Sequence, residues 1–471
     1  MCIFVSTRFQ MKYIVNTILL ILIFSCKTTE KDNSEIYFGG EIINPKSDYV
    51  LFLKDNKVID TLPLDKNNRF SNKYKSLKEG LYTFIHGNEF QYIYLEPADS
   101  ILVRLNTWDF DESLVYSGKG SDKNEFLINL FLQNGKEEKE MYKYFSLSEA
   151  DFQKKIDSLL NNRLTIYNDF STTQTHISED FKKLTTTAIN FPLYRLKEIY
   201  PYFYKRAHDL DEFPKISANF YNFRNNIDLN EKSLVSFYPY QNYIISYLYN
   251  LSYQLQEKDT TKNNITANIL NATIKHVKSE DFKNTLLKKI IINDFFKSKS
   301  TCSINNKALD IFLENCSNPS FIKQVKSLVN DSEFVSNEEP LHNFEIVSVN
   351  NVKTTINNVI KGANTVIYFW STDFMSSDYL VNRIKYLENK YPNILFIGIN
   401  MRPSLENIKI EPHLKLLDTT KQFKLTRDSY ANNYLTSKYP RIIIVNNKGI
   451  VKNGFTYLDS NKLSLELNKL K

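Results

Sequence analysis

The stretch from Thr365 to Ser377 constrains the fold of this chain more than any other. Thr365–Phe369 is an unbroken run of β-branched and aromatic residues, which is typical of a strand covered on both faces. After Trp370 the sequence turns polar, and from Ser377 apolar residues return at helical spacing, before a second apolar run at Ile394–Ile399. Strand, elbow, helix and strand predict a βαβ unit whose elbow lies at the carboxyl end of a parallel strand, where α/β folds place their sites.

Two motifs in this region resemble the thioredoxin-like disulfide reductases of bacterial cell envelopes. Phe369-Trp370-Ser371-Thr372 matches the first half of their F-W-A-T-W-C-P-P-C signature, and Tyr439-Pro440, before the apolar strand Ile442–Val445, matches their cis-proline position. The resemblance begins near residue 340 and continues to the end of the sequence. It implies a thioredoxin-like α/β domain over residues 336–471 and a cis bond between Tyr439 and Pro440.

The two cysteines of the signature are missing. Phe374-Met375-Ser376-Ser377 stands where the C-x-x-C motif belongs. Disulfide exchange needs one thiolate to attack and a second to resolve the mixed disulfide, and neither Phe374 nor Ser377 has a sulfur atom. The sequence therefore predicts no catalytic residue in the elbow.

In the redox-active relatives, the elbow and the proline segment grip a substrate polypeptide before sulfur chemistry begins. The resemblance thus implies an apolar groove that accepts a polypeptide by strand addition. Alternatively, the same residues only complete the core of the domain. The residues of this predicted groove are Trp370, Phe374, Met375, Ser377, Tyr439 and Pro440.

The beginning of the sequence is typical of an exported lipoprotein. Lys12 precedes the apolar run Ile14–Phe24, which is too short for a membrane span of about 20 residues but suits a signal-peptide core. Ile23-Phe24-Ser25-Cys26 resembles the bacterial lipobox, whose cysteine carries the lipid. We expect a signal peptide over 1–26, a lipid on Cys26 and a polar tether over 27–34, with an uncleaved apolar anchor as the alternative. Lys27 replaces the aspartate that retains such proteins in the inner membrane, so the resemblance implies an outer-membrane lipoprotein facing the periplasm.

Two further cysteines remain in the part that would be exported, Cys302 and Cys316. In an oxidising envelope they either pair as a structural disulfide or stay as two buried thiols. Their spacing is not that of a redox motif.

Other chemistries find no support in the sequence. The net charge of +7 is spread along the chain rather than gathered in runs, which argues against nucleic-acid binding. The 6 histidines are scattered without the spacing of metal ligands. The sequence also lacks the G-x-S-x-G motif that would indicate a serine hydrolase. We expect neither a metal nor a cofactor.

Two regions precede the predicted thioredoxin-like domain. Residues 35–120 alternate short apolar runs with turn residues, which predicts a β-sandwich of the kind found before the thioredoxin-like domain in many such lipoproteins. Residues 121–335 show helical periodicity, with a break or kink expected near Pro192.

Tyrosines are frequent in the helical region, and their spacing fits half-buried packing better than a ligand groove, which remains the alternative. They are Tyr194, Tyr200, Tyr202, Tyr204, Tyr238, Tyr240, Tyr243, Tyr247, Tyr249 and Tyr253.

Two functions follow from these patterns. The first is a lipid-anchored envelope protein whose redox-inactive, thioredoxin-like domain binds or scaffolds a polypeptide partner. The second is a thiol-disulfide oxidoreductase that works through Cys302 and Cys316 or through thiols of a partner.

Overall fold

The computed structural model describes residues 35–258, 264–297, 305–371, 375–401, 415–437, 439–459 and 463–470. The predicted signal peptide and tether, with Cys26, lie outside these residues, as do Phe374 and Cys302. The chain forms two compact units. The first extends to Tyr142 and includes Ser158–Asn190, and the second comprises Lys143–Asp157 and everything from Phe191 onward.

The first unit contains two four-stranded sheets, with strand orders β4-β1-β7-β8 and β3-β2-β5-β6. These strands occupy the stretch that the alternating apolar runs assign to strands. They are β1 (Ile36–Ile43), β2 (Tyr49–Lys54), β3 (Lys57–Pro63), β4 (Arg69–Tyr74), β5 (Gly80–His86), β6 (Glu89–Leu95), β7 (Ser100–Asn106) and β8 (Val115–Lys119).

Both sheets contribute side chains to one hydrophobic core, in which Phe38 packs 5.1 Å from Phe52 and 5.9 Å from Phe84, measured between ring centroids. Gly40 allows β1 and β7 to pair closely, because a Cβ at this position would lie 2.3 Å from the carbonyl oxygen of Val103. The aromatic residues of these strands thus account for the core, and Gly40 accounts for the close pairing of β1 and β7.

Among the described residues, the helices begin after β8. They are α1 (Ser121–Met141), α2 (Glu149–Thr173), α3 (Glu179–Ala207), α4 (Tyr238–Lys258), α5 (Ile265–His276), α6 (Glu280–Lys297), α7 (Asn306–Asn315), α8 (Pro319–Phe334), α9 (Ile356–Ile360), α10 (Ser377–Lys390) and α11 (Leu463–Asn468). Pro192 and Pro201 lie inside α3, which continues through both. Of the break or kink expected near Pro192, the break is wrong, because burial of neighbouring Leu193 and Leu196 outweighs the loss of one helical hydrogen bond and the helix continues.

The second unit contains a seven-stranded sheet in the order β10-β9-β13-β12-β11-β14-β15. Strand β11 pairs in parallel with β12 and antiparallel with β14. The strands are β9 (Glu345–Ser348), β10 (Lys353–Thr355), β11 (Thr365–Trp370), β12 (Leu395–Asn400), β13 (Gln422–Leu425), β14 (Arg441–Val445) and β15 (Val451–Thr456). With α10 between β11 and β12, this arrangement contains the predicted βαβ unit.

Every residue of β11 is buried. Its side chains alternate between two hydrophobic clusters, with Ile367 and Phe369 in one and Val366, Tyr368 and Trp370 in the other. The unbroken apolar run of this strand predicts burial on both faces, as observed. Because both faces are packed, the orientation of β11 is fixed, and with it the position at which the elbow begins.

Candidate functional site

The elbow follows β11 directly. Ser371 is buried, and residues 372–374, which include the predicted groove residue Phe374, lie outside the described residues. Ser376 caps α10, since its Oγ accepts a hydrogen bond from the backbone nitrogen of Tyr379 at 3.3 Å. Ser377 is the first residue of that helix. The second position of the missing C-x-x-C motif thus lies at a helix N-terminus and carries an alcohol.

Trp370 and Met375 pack into the same cluster, between β11 and α10. Trp370 is 7% exposed, and its indole Nε1 finds no acceptor within the part of the chain that the structure describes. The structure therefore brings together two of the predicted groove residues, one on each side of the elbow.

Tyr439 belongs to a different cluster. Its ring lies 5.5 Å from that of Phe296 on α6, in a group that includes Phe295, Phe455 and Tyr457. Burial raises the pKa of the Tyr439 phenol. The structure thus packs the Tyr439 side chain against the helices and does not join it to Trp370 and Met375.

The expected cis bond before Pro440 is wrong: the described residues contain no cis peptide bond, and Tyr439 and Pro440 are among them. A trans bond is the favoured form before proline by about 0.5–1 kcal/mol. Arg441, which follows Pro440, is the first residue of β14.

Arg441 is 1% exposed and connects β14 to α8. Its Nη1 donates to the carbonyl oxygens of Asp331 at 2.8 Å and Tyr434 at 2.7 Å, and its Nη2 donates to that of Gly454. The guanidinium also lies 4.4 Å above the ring of Phe455. A cation is tolerated at this depth because backbone carbonyls and an aromatic face replace its water.

The carboxylate of Asp331 holds the segment that leads to Pro440. It is fully buried and accepts hydrogen bonds from the backbone nitrogen of Thr436 at 2.9 Å, its hydroxyl at 2.6 Å and the backbone nitrogen of Ser437 at 2.8 Å. Sequence reasoning missed this residue, because a lone aspartate in an amphipathic helix gives no signal of a partner a hundred residues away.

Cys316 is a free thiol, 5% exposed, at the end of α7. Its Sγ lies 4.0 Å from the carbonyl oxygen of Asn318. Its proposed partner, Cys302, lies outside the described residues. Across the described ranges, no group of three or more His, Cys, Asp or Glu side chains could hold a metal ion.

A cavity of about 600 Å³ lies among α3, α4 and the end of α6. Tyr202, Tyr249 and Tyr253 line it, together with Phe213 and Lys297. Other tyrosines of this region, such as Tyr200, Tyr240 and Tyr243, are fully buried packing residues. Helical spacing could not separate these two roles, because both give the same periodicity.

Glu198 forms the floor of this cavity and is 2% exposed. Arg224 donates to both of its carboxylate oxygens, with Nε 2.8 Å from Oε1, and Asn250 Nδ2 donates to Oε2 at 2.7 Å. Burial raises the pKa of Glu198, while these hydrogen bonds oppose that effect. The Glu198 carboxylate at the floor is thus paired with the Arg224 guanidinium, and both of its oxygens accept hydrogen bonds.

Comparisons with known proteins give only distant likenesses. No protein-family model and no curated protein matches the chain. Among solved structures, it is similar to a thioredoxin-like protein from Bacteroides caccae, at 10% identity over 55% of this chain and 98% of that one, with a TM-score of 0.31. It is also similar to a thiol:disulfide interchange protein from a Bacteroides species, at 19% identity over 29% of this chain and 90% of that one, with a TM-score of 0.23. In the described residues, no helix combines the length and apolar character needed to cross a membrane.

Proposed function

We propose that this chain is a lipid-anchored envelope protein whose thioredoxin-like domain binds a polypeptide and does not catalyse thiol-disulfide exchange. The observation that carries the proposal is the serine-capped elbow, where Ser377 begins α10 in the place of a resolving cysteine. An alcohol at that position cannot complete an exchange cycle, whatever its environment.

Two features support a binding role for the elbow. Trp370 and the partly buried Met375 pack together at the carboxyl end of a central strand, the usual place for a site in such sheets. Asp331 and Arg441 fix the segment beside it to α8, so its backbone is held ready for a partner. A fixed backbone segment next to apolar side chains suits recognition of an extended polypeptide.

The chemical half of the proposal is tested by reduction of insulin with dithiothreitol, followed by turbidity. The purified chain should not accelerate the reaction, whereas Phe374→Cys with Ser377→Cys should, because a helix N-terminus favours a thiolate. Phe374→Cys alone should trap mixed disulfides. Each variant is also made with Cys302→Ala and Cys316→Ala, so that any activity can be assigned to the elbow. Rapid reduction by the unmodified chain would contradict the proposal.

The binding half needs a polypeptide that cannot react. Carboxamidomethylated α-lactalbumin, unfolded and free of thiols, serves as the probe, with binding followed by fluorescence anisotropy. Met375→Asp should weaken binding, since it places a charge in the apolar surface. Val352→Asp is the matched control, because Val352 is 62% exposed in the same domain and is remote in sequence from the elbow. Equal binding by both variants would remove the elbow from the proposal.

The alternative, an oxidoreductase that uses Cys302 and Cys316, requires an accessible thiolate. Burial of Cys316 to 5% exposure disfavours attack on a disulfide of a partner protein. If insulin reduction by the unmodified chain were strong and disappeared in Cys316→Ala, this alternative would replace the binding role.

A further inference from the structure

We infer that the cavity among α3, α4 and α6 binds a planar organic anion, with a fused-ring or aromatic body and one acidic group. The inference stands apart from the proposed function of the elbow. It rests on the volume of the cavity, its aromatic walls, a serine hydroxyl in its lining and a lysine that makes no ion pair within the described residues.

The cavity has the size and lining of a small-molecule site. Its volume of about 600 Å³ falls within the range of about 300–1,000 Å³ that ligand pockets occupy. The Tyr202 and Tyr253 rings are stacked at 5.4 Å and 27°, and Phe213 lies 5.3 Å from Tyr253. Such rings favour a planar apolar body, which can lie against them in an offset stack.

The cavity is preformed because its floor is bonded within the protein. Asn250 donates to both the side chain and the backbone carbonyl of Glu198, and its own amide oxygen accepts from Gln254 Nε2 at 2.9 Å. Arg224 is stacked 3.8 Å above the ring of Tyr221, another lining residue. A ligand therefore meets no unpaired carboxylate at the floor.

A hydroxyl group also lines the wall of the cavity. Ser246 contributes it from α4, and this residue is 7% exposed. A serine hydroxyl can donate a hydrogen bond to a ligand or accept one from it.

The charge of the lining favours an acid. With Glu198 neutralised by Arg224, Lys297 is the charged lining group that remains, and it has no carboxylate partner in the described part of the chain. Its Nζ lies 5.9 Å from the centre of the Tyr249 ring. Two further cations, Lys205 and Arg206, lie over the wall residues Phe213 and Tyr202. An anionic group would bind beside Lys297, with the ring body against the tyrosines.

The test uses three probes that share one ring system: 2-naphthoate, the neutral 2-naphthylmethanol and the cationic 2-naphthylmethylammonium. Binding to the full chain is measured by isothermal titration calorimetry. We expect saturable binding of 2-naphthoate, at least about tenfold weaker binding of the alcohol, and no binding of the cation, since a carboxylate forms a stronger hydrogen bond with Lys297 than a neutral hydroxyl does.

Three variants assign the site. Lys297→Gln should weaken 2-naphthoate about tenfold and leave the alcohol unchanged. Lys289→Gln, an exposed lysine on the same helix, is the matched control and should change neither. Ser246→Phe fills the cavity from α4 and should abolish binding of both probes, with thermal unfolding recorded to show that the variant is folded.

Equal affinity for the anion and the alcohol would overturn the charge assignment, and binding that survives Ser246→Phe in a folded protein would overturn the cavity. Absence of saturable binding by any probe would overturn the inference as a whole. None of these outcomes affects the elbow, because its test uses a different probe and different variants.

Discussion

Asp99 shows how a single buried carboxyl sets a pH dependence. It is 5% exposed, and its Oδ2 accepts a hydrogen bond from the backbone nitrogen of Glu96 at 2.7 Å. Burial raises the pKa of Asp99 from 3.8 to about 6. The folded protein therefore holds this proton more tightly than the unfolded chain does, and the stability that comes with it is present at low pH and lost as pH rises through about 6.

Asp99→Asn should remove this dependence. Groups remote from Asp99 titrate alike in the two proteins, so the difference in unfolding free energy reports on Asp99 and the charges coupled to it, such as Glu96. As pH rises from 4 to 7, the unmodified protein should lose up to about 3 kcal/mol relative to Asp99→Asn, measured by urea denaturation at each pH.

Asp65 gives a control of opposite sign for this experiment. Hydrogen bonds from the backbone nitrogens of Arg69 and Asn67 lower the pKa of Asp65. The unmodified protein should therefore lose stability relative to Asp65→Asn as pH falls. A difference between the unmodified protein and Asp99→Asn that stays constant with pH would contradict the assignment to Asp99.

At the scale of elements, α8 and β14 are joined by two residues that the sequence separates widely. The Asp331 carboxylate accepts three hydrogen bonds from the segment before Tyr439. The Arg441 guanidinium donates a hydrogen bond to a backbone carbonyl of α8. Each buried donor left without an acceptor costs about 1–3 kcal/mol, less where water can enter.

We therefore expect Asp331→Ala to lower the unfolding free energy by about 3 kcal/mol, and Asp331→Asn to lower it by less, since one acceptor remains. Asp310→Ala is the control, because Asp310 is exposed on α7 and should change stability by at most about 0.5 kcal/mol. Urea denaturation of the three variants gives the comparison. The role of Asp331 would be wrong if its alanine variant were as stable as the control.

The elements that the sequence predicted best are those whose signal is local. The apolar run of β11 and the spacing of Leu380 and Ile384 placed a strand and a helix close to where they lie, with α10 beginning at the predicted Ser377. The sequence did not decide between a break and a kink at Pro192, and α3 is unbroken there because side-chain packing outweighs the local preference of proline.

The site was harder to predict than the fold. Trp370 and Met375 come together because they are close in sequence. Tyr439 packs against Phe296 instead, a contact decided by how α6 lies on the sheet. Arg441 bonds to a carbonyl 110 residues earlier, and no spacing rule reaches that distance.

For the molecule as a whole, the proposed role depends on where the chain resides. Lys12, the apolar run Ile14–Phe24 and Ser25-Cys26 occur in the order of a lipoprotein signal, and they lie outside the described residues. A lipid at Cys26 would hold the protein at a membrane surface, and stable anchoring would then come from the acyl chains rather than from a membrane-spanning helix.

Cys26→Ala should therefore release the protein from membranes or leave it unprocessed at higher mass when the full chain is expressed in a Gram-negative host. Fractionation of the cells, with mass spectrometry of the N-terminal peptide, distinguishes these two results. Cys302→Ala is the matched control, because it also removes one thiol and should keep the protein in the membrane fraction at the processed mass. If Cys26→Ala fractionates and migrates like the unmodified protein, Cys26 carries no lipid, and the elbow and the cavity would have to be assigned to a protein that is not anchored through this residue.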